Sequence, residues 1–182
     1  MKAGFRKLFS GGSMEQKICF FTGHRSMPDD EMEALPEKLD LVISDLYGQG
    51  VREFRAGGAV GFDTLAALKI IEFRSNHPDV RLALILPCRD QDAHWSDFDR
   101  TVYSFVLEQA DSVFYLHDEY TQECMHERNR ALASGADFCV AYMNQPNGGT
   151  AYTVNLAEKS GITVFNLAPP ISDDEEQIEM EV

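Results

Sequence analysis

Six short apolar segments recur along the chain, and each is separated from the next by a segment of helical hydrophobic spacing. Near-continuous apolar strands that alternate with amphipathic helices are typical of a parallel sheet that is buried on both faces. The pattern therefore predicts a single α/β domain, with a doubly wound, mainly parallel sheet and helices on both faces. The predicted strands are 17–23, 51–56, 80–87, 111–117, 137–142 and 162–167, and the predicted helices are 29–48, 63–74, 97–109, 121–134 and 150–160.

The two ends of the chain differ in composition from the segment between them. Residues 1–13 contain a Gly-Gly-Ser break after three basic residues, which is typical of a tag remnant, an upstream start or a disordered end. Residues 172–182 include six acidic side chains and no basic one, which indicates a disordered, solvated tail or, less often, an interaction tail. We therefore expect the folded domain to span 14–171.

The charge and the cysteines restrict the expected partners. The net charge is −14, which repels a phosphate backbone, so we expect no nucleic-acid partner. No apolar run approaches the roughly 20 residues that span a bilayer, so we expect no membrane partner either. Four cysteines without a C-x-x-C pair favour a reducing cytoplasm. Cys124 and His126 point to different helix faces, so we expect no metal. These features are compatible with a homo-oligomer.

The loops that follow the strands carry the candidate functional residues, because ligands bind beyond the carboxyl ends of parallel strands. Two of these loops hold a Gly-Gly pair before a helix, which forms either a plain turn or a seat for a phosphate. Arginine forks suit phosphate, and a lone tryptophan either stacks on a base or caps the core. The candidate ligand-binding residues are Thr22, Gly23, His24, Arg25, Gly57, Gly58, Ala59, Gly61, Asp63, Arg89, Gln91, Trp95, Arg128, Gly148, Gly149, Thr150 and Thr153.

These glycines match neither the dinucleotide fingerprint nor the Walker phosphate loop, which needs a lysine after its last glycine. Three stretches, GGAVGFDTLAA, MHERNRALASGAD and NGGTAYTVNLA, instead resemble the SLOG superfamily, a group that includes LOG-type phosphoribohydrolases and DprA proteins. The opening FTGHR, the GGAVGFD loop, the loop with Gln91 and Trp95, and GGTAYT are similar to the YpsA-like branch. The resemblance spans about 17–167. It implies a Rossmann-like sheet and a nucleotide-type ligand whose identity stays open, and it implies no required cofactor.

The resemblance to LOG-type enzymes also raises the question of catalysis. Those enzymes hydrolyse the N-glycosidic bond of a nucleoside 5′-monophosphate with an arginine and a glutamate, and these positions correspond to Arg128 and Asn155. Asparagine is neither a general base nor a charge that stabilises an oxocarbenium ion. Glu127 and Asp63 are the candidate replacement carboxylates.

Two functional hypotheses follow from these residues. The favoured one is a protein that binds or senses a nucleotide or nucleotide derivative between its two Gly-Gly loops. The alternative is a nucleoside 5′-monophosphate phosphoribohydrolase. Binding of single-stranded DNA, as in DprA proteins, is not expected, because the chain is acidic and lacks a groove pattern of aromatic and basic residues.

Overall fold

The computed structural model describes residues 16–170, and within them six strands form one sheet in which every pair is parallel. Each strand begins and ends within one residue of its predicted bounds, because long apolar runs mark buried strands clearly. The expectations for 1–13 and 172–182 fall outside the described residues. The strands are β1 (Lys17–Gly23), β2 (Val51–Ala56), β3 (Arg81–Cys88), β4 (Ser112–His117), β5 (Phe138–Tyr142) and β6 (Thr163–Asn166).

Five helices connect the strands, and two of them begin two or three residues from the position that the sequence pattern indicates. The fourth helix begins at Cys124 rather than at 121, because the Cys124 amide donates to the Thr121 carbonyl and closes a turn first. The fifth begins at Gly148 rather than at 150, so both glycines of the second pair belong to its first turn. The helices are α1 (Asp29–Gly48), α2 (Phe62–Arg74), α3 (Asp97–Gln109), α4 (Cys124–Ala133) and α5 (Gly148–Lys159).

The strand order is β4-β3-β2-β1-β5-β6, which confirms the doubly wound, Rossmann-like α/β fold. From β1 the chain proceeds outward to β4, then returns across the sheet to β5 and continues to β6. The direction of winding therefore reverses between β1 and β5. The loops after these two strands leave toward opposite faces, and the crevice between them is where open α/β sheets bind ligands.

Two apolar cores cover the two faces of the sheet. The core on one face holds side chains from α1, α2 and α3, among them Leu39, Ile70 and Tyr103. The core on the other face holds side chains from α4 and α5, among them Leu132 and Val154. The helices therefore divide three and two between the faces, as the reversal of winding requires.

Two further observations bear on the expected partners. Within residues 16–170, no helix is both long enough and apolar enough to cross a membrane. In the same part of the chain, no group of three or more histidine, cysteine and acidic side chains is arranged to hold a metal ion.

Arg55 fixes α4 to the sheet from inside the molecule. Its side chain is 8% exposed, and its Nε donates to Glu53 Oε1 at 2.6 Å. Its Nη1 donates to the carbonyl of Ser134 at 2.8 Å, at the carboxyl end of α4, where a cation also complements the helix dipole. One buried guanidinium thus joins β2 to the carboxyl end of α4.

We expect Arg55→Met to lower the free energy of unfolding by about 3 kcal/mol, because it leaves Glu53 and the end of α4 without their buried partner. Arg81→Met is the matched control, since Arg81 pairs with Asp111 at 3.1 Å but its side chain is 59% exposed. Its loss should cost less than about 1 kcal/mol. Urea unfolding followed by circular dichroism measures both, and equal losses would contradict the anchoring role of Arg55.

Candidate functional site

A cavity of about 290 Å³ opens at the point where the winding reverses, beyond the carboxyl ends of β1 and β5. We call it the switch-point cavity. Its walls come from the end of β1 and the loop after it, the loop after β2 with the first turn of α2, the first two turns of α4, and the first turn of α5. The residues that line it are Thr22, Gly23, His24, Arg25, Ala59, Asp63, Met125, Arg128, Asn129, Gly149 and Thr150.

An ion pair between Asp63 and Arg128 forms the floor of this cavity. Asp63 lies on the first turn of α2 and Arg128 on α4, and Arg128 Nη1 donates to Asp63 Oδ2 at 3.1 Å. Both side chains are buried, with 4% and 10% exposed. The backbone amides of Ala59 and Gly57 also hydrogen-bond to the Asp63 carboxylate. Burial raises the pKa of Asp63, and the Arg128 guanidinium and these amides lower it in part.

Gly57 is required because the guanidinium of Arg128 lies against its backbone. A Cβ atom at Gly57 would stand 1.5 Å from Arg128 Nη1 and 2.7 Å from Asp63 Oδ2. The glycine loop therefore holds a carboxylate of its own chain, which in turn holds the arginine. A direct contact between the Gly57, Gly58 or Gly61 amides and a ligand stays a prediction.

Arg128 keeps unused hydrogen-bonding capacity at the cavity. Its Nε is buried and has no hydrogen-bond partner among residues 16–170. Unpaired buried donors are rare, because each one loses its water without replacement. The donor set of Arg128 is thus incomplete in the part of the chain that the structure describes.

Three further polar side chains of the cavity wall have no protein partner, but among the described residues Arg128 Nε alone is both fully buried and unpaired. Thr22, Asn129 and Thr150 are each less than 10% exposed, and their side chains make no hydrogen bond to the described residues. By contrast, Thr153 lies outside the cavity, and its hydroxyl donates to the Gly149 carbonyl at 2.7 Å. The cavity wall therefore carries three polar side chains without a partner in the described part of the chain.

The amino end of α5 forms the wall opposite the ion pair. Gly149 and Thr150 line the cavity, and Gly149 has open space where a side chain would lie. The residue before the helix, Asn147, makes no side-chain cap, and the first turn contains no acidic residue. Uncapped amides and the positive end of the helix dipole make such an end suitable for an anion.

His24 is the titratable side chain on the β1 side of the cavity. Its Nε2 accepts the Asn144 amide at 3.3 Å, which assigns the proton of the neutral ring to Nδ1. Partial burial lowers the pKa of His24 below its ordinary value of 6.5. His24 therefore joins the loop after β1 to the loop after β5 as a neutral ring at pH 7.

Several predicted ligand-binding residues lie behind the glycine loop and not on the cavity wall. Gln91 donates to the Gly58 carbonyl at 3.2 Å and to the Tyr103 hydroxyl at 2.8 Å. Trp95 packs edge-on against Tyr103, with ring centroids 5.2 Å apart. Gln91 and Trp95 thus support the loop, and a base on Trp95 stays a prediction. Arg89, Gly148 and Thr153 also lie off the wall, and Arg89 pairs with exposed Asp118.

The catalytic candidates occupy different places. Asn155 is exposed on α5 and does not line the cavity. Glu127 is hydrogen-bonded to His117 Nε2 and also lies off the wall. Among residues 16–170, Asp63 is the one carboxylate on the wall, and it is already bound to Arg128 and two amides. The three carboxylate or amide candidates are thus not brought together.

Sequence reasoning missed two residues of the cavity wall, Met125 and Asn129. They lie three positions before and one after Arg128, so α4 presents all three toward the same region. The helical spacing around Arg128 was a signal that could have identified them.

Comparison with known proteins identifies the chain's relatives. The model of the YspA SLOG family (YpsA) matches residues 17–164. A UPF0398 protein of Bacillus cereus strain G9842 is 28% identical over 132 residues, which cover 71% of this chain and 70% of that protein.

Two solved structures show the same fold. DNA processing protein A from Streptococcus pneumoniae has a TM-score of 0.63 at 14% identity and covers 92% of this chain. This chain spans only 57% of that protein. DNA processing protein A from Helicobacter pylori has a TM-score of 0.61 at 16% identity, with 90% of this chain and 72% of that one covered.

The expected exclusion of nucleic acid is wrong. The structure from H. pylori is described by its single-stranded DNA binding mode, so this fold accommodates nucleic acid in a structural neighbour. The exclusion rested on the charge of the whole chain. A net charge averages over all surfaces, whereas the wall of the switch-point cavity carries Arg25 and Arg128.

We expect Gly57→Ala to lower the free energy of unfolding by about 3 kcal/mol, because its methyl group displaces Arg128 from Asp63. Gly149→Ala is the control at the same cavity, where a Cβ has nothing within 4 Å. It should change stability by less than about 1 kcal/mol. Urea unfolding compares the two, and a Gly57→Ala protein as stable as the wild type would refute the close packing of Arg128.

Proposed function

The chain belongs to the YspA SLOG family, and we propose that it binds the phosphate-bearing end of a nucleotide or nucleotide derivative in the switch-point cavity, without turnover. The observation that carries this proposal is the buried Nε of Arg128, which has no partner among residues 16–170. A phosphate oxygen is the natural acceptor for it, since guanidinium groups bind phosphate through two parallel N–H groups.

The orientation of Arg128 supports an anion at this place. Asp63 accepts a hydrogen bond from Nη1, and Nε has no acceptor among residues 16–170. Because Nε is closed to water in the structure, an anion reaches it after a small shift of the side chains around it. The Asp63 carboxylate offsets part of the arginine's charge, so a site without further positive potential would attract an anion weakly. The uncapped end of α5 and the exposed Arg25 at the cavity supply that potential.

The remaining wall suits the hydroxyl groups of a sugar. Thr22, Asn129 and Thr150 offer donors and acceptors that residues 16–170 do not satisfy. A volume of about 290 Å³ lies at the lower end of ligand pockets, which span roughly 300–1,000 Å³. This size favours a mononucleotide over a dinucleotide as the enclosed part.

Binding without hydrolysis is favoured over phosphoribohydrolase activity by the placement of the carboxylates. Cleavage of an N-glycosidic bond needs an unengaged carboxylate or base beside the sugar. Asn155 is exposed and off the wall, and Asp63 is engaged by Arg128 and by two backbone amides. No described carboxylate on the cavity wall is therefore available for that step.

Isothermal titration with AMP, GMP, CMP and UMP tests the proposal on three variants. Arg128→Lys keeps the charge beside Asp63 but removes the Nε donor, and should weaken binding of the preferred nucleotide at least about tenfold. Thr150→Val removes a hydroxyl that has no protein partner and should weaken binding less. Arg130→Ala, an exposed arginine two residues along α4, should leave the affinity unchanged.

Thermal unfolding of each variant shows whether the fold is kept, and chromatography of the titrated samples shows whether free base is released. Absence of binding to all four nucleotides, or equal affinity in Arg128→Lys and wild type, would overturn the proposal. Release of base by the wild type would replace it with the phosphoribohydrolase alternative.

A further inference from the structure

Two exposed aromatic rings meet between α4 and α5. His126 and Tyr152 pack edge to face, with their ring centroids 4.9 Å apart and their planes at 81°. Both residues are exposed, and neither belongs to the two apolar cores. We call this pair the aromatic rim. The packing of the sheet therefore does not account for it.

The aromatic rim lies one helical turn from the wall of the switch-point cavity on both helices. Tyr152 follows Gly149 by three residues on α5, and His126 precedes Asn129 by three on α4. Residues three apart on a helix lie on neighbouring parts of one face. Since Gly149 and Asn129 line the cavity, the two rings stand next to its edge, on the side of the α5 amino end.

Three other exposed aromatic side chains are not part of such a pair beside the cavity. Tyr120, 62% exposed, lies in the loop before α4 and packs on no ring of the described residues. Phe98 and Phe105 are 76% and 46% exposed, and both lie on α3, which packs on the other face of the sheet. The aromatic rim is thus distinguished by its neighbours and not by exposure alone.

We propose that the aromatic rim stacks on the nucleobase of the ligand whose phosphate occupies the switch-point cavity. The inference rests on the proposed phosphate site and adds a second subsite to it. The cavity encloses the phosphorylated sugar of a mononucleotide, and only the base of that mononucleotide extends over the cavity edge onto Tyr152 and His126. Every base has a flat π-face, so such a platform binds bases with little sequence preference.

The same chemistry, a nucleobase joined to a phosphorylated sugar, occurs in a free mononucleotide and in single-stranded nucleic acid.

Edge-to-face packing of His126 on Tyr152 holds the tyrosine ring in place and leaves part of it exposed. A ring that is already ordered loses little entropy when a base stacks on it.

Titrations with ribose 5-phosphate and AMP separate the two subsites. Tyr152→Ala should weaken AMP at least about fivefold and leave ribose 5-phosphate unchanged, because only AMP carries a base. Tyr152→Phe keeps the ring and should bind AMP like the wild type. Phe105→Ala removes an aromatic ring of similar exposure on the other face and should change neither affinity.

A titration with a short single-stranded adenine oligonucleotide tests whether the stacked base belongs to single-stranded nucleic acid. A loss of its binding in Tyr152→Ala, with AMP binding weak in all variants, supports the same stacking with nucleic acid as the ligand. If ribose 5-phosphate binds but neither AMP nor the oligonucleotide depends on Tyr152, the aromatic rim is refuted and the phosphate site stands. If none of the three ligands binds the wild type, both proposals fail.

Discussion

The buried contact between Asp63 and Arg128 is the interaction on which the site depends. Asp63 stands on α2 and Arg128 on α4, and these helices cover opposite faces of the sheet. Their ion pair crosses the carboxyl edge beside the reversal of winding and joins the two layers there. Because Arg55 binds the carboxyl end of α4 and Asp63 binds Arg128 near its middle, the helix is fixed at two points, and Arg128 stays beside the amino end of α5.

Such a pair positions groups more than it stabilises the fold. Removing two charges from water offsets most of their attraction, whereas removing only one partner is costly. The glycine loop contributes by leaving room for the guanidinium at Gly57 and by donating amides to Asp63. Gly57 beside β2 thus leaves room for the arginine, and Gly149 on the first turn of α5 lines the cavity.

Much of the fold was predictable from the sequence, because long apolar runs and helical spacing report burial directly. The strand order was not, since periodicity says nothing about which strands lie side by side. Without the reversal between β1 and β5, the sequence offered candidate residues on five loops and favoured the two with Gly-Gly pairs. Gln91 and Trp95 could not be separated from wall residues for the same reason, and the exclusion of nucleic acid failed because composition does not locate charge.

If the Nε–H group of Arg128 binds an anion, nitrogen-15 NMR of the arginine Nε–H groups detects the binding directly. The resonance of Arg128 is identified by its absence in Arg128→Lys. Addition of inorganic phosphate should shift this resonance in a saturable way, since a charge-assisted hydrogen bond forms at that proton. The exposed Arg130 should shift little. An Arg128 resonance that does not move at saturating phosphate or AMP would contradict the account.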